Sequence, residues 1–124
     1  MKNQVGYFEN GRLYLNLEVS GNLPQGKKII KAQIDTGYDG HLSLPFSEAF
    51  PLGLTLIGTR AYIIADGSTI TNFSCVGNIT VNGKTETMDI DIIPNGGILM
   101  GMSLLQKFGN NCHIDFKKKI IEFV

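Results

Sequence analysis

The sequence predicts an all-β domain, and three observations carry that prediction. Between Leu13 and Val19 the apolar residues Leu13, Leu15, Leu17 and Val19 alternate with Tyr14, Asn16 and Glu18, a period of two that lays one face of a strand on a core. Asp66-Gly67 and Asn82-Gly83 each separate two strand-like runs, and these dipeptides favour the tight turns that need positive φ. Helix signals are confined to two short stretches.

Taken in order, Leu13–Val19 runs into the loop Gly21-Asn22-Leu23-Pro24-Gln25-Gly26, and Lys28–Ile34 returns to complete a hairpin. His41–Leu44 is a short strand. Pro45, with its fixed φ, opens a helical turn through Phe46–Phe50 that Pro51 and Gly53 end. Ala61–Ile64 and Thr69–Phe73 flank the turn Ala65-Asp66-Gly67-Ser68. Asn78–Val81 and Thr87–Ile93 flank Asn82-Gly83, and on the latter strand Asp89 and Asp91 alternate with apolar neighbours, which assigns them to a solvated face. Pro94-Asn95-Gly96-Gly97 is a loop, and Ile98–Met100 is a short apolar strand stopped by Gly101. Ser103 is placed as the N-cap of a helix over Leu104–Phe108, closed by Gly109 in the C′ position. Cys112–Phe116 and Lys119–Phe123 form a last hairpin, with Lys117-Lys118-Lys119 at its solvated turn. No repeat, low-complexity run or linker interrupts the chain, so residues 1–124 are expected to form one domain, with 1–10 as an N-terminal arm.

Eleven Lys+Arg balance eleven Asp+Glu, with no basic stripe, and this argues against a nucleic-acid partner. Cys75 and Cys112 form no CxxC, and with His41 and His113 they give no metal-ligand spacing; both are expected as buried small apolar residues, and no metal or cofactor is expected. The first residues lack the apolar core of a signal peptide, and no run reaches the roughly 18 apolar residues of a membrane helix, so the expected setting is cytoplasmic and membrane-free.

The most informative stretch is Lys31-Ala32-Gln33-Ile34-Asp35-Thr36-Gly37-Tyr38-Asp39-Gly40, a strand that ends in a carboxylate followed by a small hydroxyl residue and glycine. Such a turn holds a carboxylate at a sheet edge and lets another backbone approach. Asp, Thr and Gly are also ordinary turn residues, so the triplet alone leaves a structural turn and a reactive site equally open.

Several features nevertheless agree in order. Ile34-Asp35-Thr36-Gly37-Tyr38, the hairpin tip Ala65-Asp66-Gly67-Ser68, and Leu99-Met100-Gly101 before a short helix together resemble the retropepsin-like aspartic proteases, across residues 13–124. Within that family the chain looks closest to small bacterial members with an aromatic residue after the triplet. The resemblance implies a retropepsin-like acid-protease β-barrel with one short C-terminal helix. It also implies an aspartic endopeptidase acting on peptide or protein substrates. Asp35, Thr36 and Gly37 would be the catalytic residues, and Tyr38, Asp39, Ala65, Asp66 and Gly67 would meet the substrate, the last three from a flap.

Counting adds a requirement. A water activated between two carboxyls needs two of them, and this chain holds one Asp-Thr-Gly, so the expected unit is a homodimer with Asp35 from each copy. The C-terminal run Ile120–Val124 is a candidate edge strand for pairing between subunits. Two departures stand out: Tyr38 replaces the usual Ala and is expected to narrow the pocket beside the dyad, and Met102 occupies the position of an Arg that would pair with Asp39. Arg12 and Arg60 are then the candidate partners of Asp39. A peptide-binding or dimerisation module on the same fold is the alternative, because a fold does not dictate a function.

Overall fold

The computed structural model describes residues 5–21, 26–63, 65–94, 96–109 and 111–123. Residues 1–4, 22–25, 64, 95, 110 and 124 lie outside the described residues, among them part of the loop expected at 21–26 and the end of the strand expected at Ala61–Ile64.

The strands are β1 (Val5–Glu9), β2 (Arg12–Ser20), β3 (Lys27–Ile34), β4 (Leu42–Leu44), β5 (Thr55–Ile63), β6 (Thr69–Val81), β7 (Lys84–Ile92), β8 (Leu99–Met100), β9 (Cys112–Asp115) and β10 (Ile120–Phe123). Among the described residues two short α-helical segments interrupt them, α1 (Phe46–Ala49), which runs on into a 3-10 turn, and α2 (Met102–Phe108). No helix among the described residues is long and apolar enough to cross a membrane.

The all-β prediction holds. All the strands join one sheet in the order β5-β6-β7-β4-β8-β3-β2-β1-β10-β9, and an extra pairing of β6 with β2 (Val19 opposite Ile79) closes its middle into a barrel. The period of two in β2 survives as buried Leu15, Leu17 and Val19, which meet Ile30, Leu42, Leu44, Ile79, Ile90 and Met100 inside. Each buried Leu or Ile contributes about 1.5–3 kcal/mol of transfer free energy, so this interior is what holds the barrel shut.

Several boundaries differ from the sequence reading. Thr69–Phe73 and Asn78–Val81 belong to one 13-residue strand, β6. Gly77, which suggests a break, instead makes room in the strand: a Cβ there would sit 2.7 Å from Leu54 and 2.9 Å from Ile90. The arm contributes β1, which pairs with both β2 and β10. β10 is consequently an interior strand, covered by β1 on one side and β9 on the other, and among the described residues β9 is the last strand at this end of the sheet. Cys75 is buried as expected, but Cys112 is exposed on that edge strand. Gly109 ends α2 in an extended conformation rather than a left-handed one.

Candidate active site

Strand β3 ends at Ile34 and β4 begins at Leu42, yet β8 lies between them, parallel to β3 and antiparallel to β4. The intervening residues 35–41 must therefore cross over the end of β8. Three backbone bonds tie down the crossing: Asp35 N–H donates to the Met100 carbonyl, Gly101 N–H to that of His41, and Met102 N–H to that of Tyr38, each at 2.9 Å. The close approach explains the glycine. A Cβ on Gly101 would lie 2.6 Å from the Tyr38 carbonyl oxygen and closer still to that of Gly40, both unyielding backbone atoms. Gly101→Ala should destabilise the fold by about 2 kcal/mol or more, read as a shift in the urea midpoint. An unchanged midpoint would mean that the crossing is looser than drawn.

At the head of the turn Asp35 is half-buried, and its Oδ1 accepts the Gly37 N–H at 2.9 Å. Thr36 and Gly37 are exposed beside it. The carboxylate is thus held by its own turn, while the turn is held by β8 and the start of α2.

Tyr38 takes a course that its position after the triplet does not reveal. Its N–H donates to the Asp35 carbonyl at 3.2 Å, and its phenol donates to Asp91 Oδ2 at 2.5 Å. The ring passes Gly40, where a Cβ would meet ring carbon Cζ at 2.6 Å. Asp91 is therefore not simply solvated: it is half-buried and partnered, whereas Asp89 is exposed as expected. Ser103 also departs from its expected role. The residue before α2 is Gly101, without a side-chain cap, and the Ser103 hydroxyl donates instead to the Asp39 carbonyl, a second clamp on the turn.

Asp39 itself is exposed, and none of the ion pairs among the described residues joins it to Arg12 or Arg60. Arg60 instead lines a small polar cleft of about 130 Å³ with Gly40, His41, Asp89 and Asp91. Burial pushes the His41 imidazole below its ordinary pKa and Lys107 adds to that, against the opposing pull of Asp89 and Asp91.

The hairpin tip lies apart from this cluster in its bonding. Asp66 Oδ1 accepts the Ser68 N–H at 2.8 Å and the Ser68 hydroxyl at 2.6 Å, and these bonds hold the Asp66 carboxyl below the usual carboxylate range. Gly67 has φ 86°, in the left-handed region, with open space around it. Ala65, Asp66 and Gly67 are all exposed. The structure thus joins the Asp35 turn to Leu99-Met100-Gly101, and the flap turn makes its hydrogen bonds within itself. The sequence reading put Asp91 on a solvated face and Ser103 at an N-cap and missed both as supports of the turn; an aspartate half-way along an alternating strand and a serine near a helix start carry no local signal of a distant partner.

Among solved structures, the chain is similar to the EIAV protease complexed with the inhibitor HBY-793, with a TM-score of 0.64 over 82% of this chain and 91% of that one, at 16% identity. No protein-family model and no curated protein matches the sequence. The likeness is one of fold: the chain has a retropepsin-like all-β fold with one short helix near its C-terminus.

Proposed function

We propose that the chain is an aspartic endopeptidase that works as a homodimer. The observation that supports this most is the Asp35 carboxylate, anchored at a strand end by Gly37 N–H in a fold shared with the EIAV protease. Two such carboxyls about 3 Å apart do not both ionise readily and share one proton. The ionised one takes a proton from water as it attacks the scissile carbonyl, and the protonated one donates to the carbonyl oxygen. Thr36 bonds across the two-fold axis, Gly37 and Asp39 stand beside the peptide, and Ala65, Asp66 and Gly67 close over it and exclude water.

A second copy would meet the β9 end of the sheet: among the described residues no strand pairs with the outer side of β9, Ile114 and Phe116 are 45% and 74% exposed, and a groove of about 330 Å³ is lined by Ile114, Leu13 and Thr36 of the Asp35 turn. Digestion of a peptide library by the wild type and by Asp35→Asn in parallel tests the reading, and equal cleavage by the two would sink it. Gly67→Val tests the flap: a β-branched residue at positive φ distorts the tip, so kcat/KM should fall about tenfold or more while the melting temperature moves by only a few degrees. A large melting shift with unchanged activity per folded molecule would make the hairpin purely structural.

A further inference from the structure

Residue 38 follows the proposed catalytic triplet directly, and three of its groups are engaged at once: its N–H by the Asp35 carbonyl, its carbonyl by Met102 N–H, and its phenol by Asp91. Asp91 is well seated to receive it. Its partners on the two neighbouring strands, Ser43 of β4 and Ser74 of β6, are small, polar and buried to 1% and 5% exposure. A short polar row thus crosses three strands on the face of β7 opposite to the one that buries Ile90 and Ile92, and its middle member accepts the phenol. Gly40 and Gly101 supply the space for the ring, since a Cβ on either would run into Tyr38. Ile90 and Ile92 belong to the hydrophobic core on the other face, and Asp91 with its two serine partners stands outside that cluster.

We propose that the Tyr38–Asp91 hydrogen bond is a brace that sets the Asp35 carboxylate relative to the barrel, with Tyr38 and Asp91 as positioning residues of the proposed peptidase site. The inference rests on that functional reading only for its kinetic consequence. A carboxylate that must meet its symmetry mate at about 3 Å tolerates little drift, and misplacement by about 1 Å costs up to roughly a hundredfold in rate. The phenol ties the turn to β7, a strand that the backbone bonds to β8 and α2 do not reach.

The test uses Tyr38→Phe, which keeps the ring, with Asp91→Ala, Asp91→Asn and the double variant Tyr38→Phe/Asp91→Ala. Tyr38→Phe and Asp91→Ala should each lower kcat about tenfold or more with KM within about twofold. Asp91→Asn, which retains an acceptor oxygen, should restore most of the rate, and the double variant should be no slower than the worse single one. In parallel, ¹⁵N-resolved spectra of Tyr38→Phe should shift the amides of Asp35, Gly37 and Met102 and leave those of β1 and β10 in place. Unmoved Asp35 and Gly37 amides, or a lower melting temperature with kcat unchanged, would overturn the brace. If the wild type cleaves no peptide, the peptidase reading fails by itself, and the amide shifts still decide whether Tyr38 positions Asp35.

Discussion

Asp35→Asn should leave the fold intact and reduce peptide cleavage by roughly 10²–10⁴-fold, the range that general acid–base catalysis supplies. The amide keeps the carboxylate's shape, and its Oδ1 can still accept the Gly37 N–H that organises the turn. What it loses is the ability to hold or release the shared proton, so an Asn pair has neither a base for the water nor an acid for the carbonyl oxygen. Matched melting curves with cleavage reduced to background are the expected result. Retained cleavage would move the chemistry to another residue, and a collapse of the melting transition would show that Asp35 acts through the turn's stability instead.

The second large effect is dominance by an inactive partner. If each site is made from two copies of Asp35, wild type equilibrated with a roughly ninefold excess of Asp35→Asn leaves only about a tenth of the wild-type chains in all-wild-type pairs, and activity should fall to about that level. The same logic makes activity depend on dilution. Ile114→Asp should have a parallel effect from the outside: it places a charge on the exposed edge strand β9 beside the groove that reaches Thr36, while Ile114 is 45% exposed and adds little to the chain's own core. Sedimentation should show a monomer, with the melting temperature little changed. A wild type that sediments as a monomer at assay concentration with full specific activity would exclude a shared site and require a second carboxylate within the chain.

The hairpins were legible because their turn chemistry is local: Asp66-Gly67 and Asn82-Gly83 announce themselves, and Gly67 and Gly83 do take positive φ. The position of Asp35 at a strand end was legible for the same reason. Pairings between distant segments were not. Nothing in Leu99-Met100 says that it will slide between β3 and β4, or that β2 will close on β6, because a register between remote strands leaves no mark on neighbouring residues. The Tyr38 phenol escaped for this reason: its partner lies 53 residues away, on a strand whose alternation tells only which face Asp91 is on. Cys112 was misjudged from the average behaviour of its residue type, since a free thiol usually packs inside, whereas here the strand that carries it is the sheet's last.

The length of β6 has a mechanical consequence. Its pairing with β7 begins only at Phe73, opposite Ile92, so from Thr69 to Asn72 the strand is bonded to β5 alone and projects as a cantilevered two-stranded ribbon. Below that point the same strand is a stave of the closed barrel, gripped by β7 and β2. A free ribbon of two strands is weakly stable on its own. The ribbon leaves the barrel at Phe73, whose ring centroid lies 5.4 Å from that of Phe46, so a flap motion of the proposed kind would bend there and leave the staves below in place.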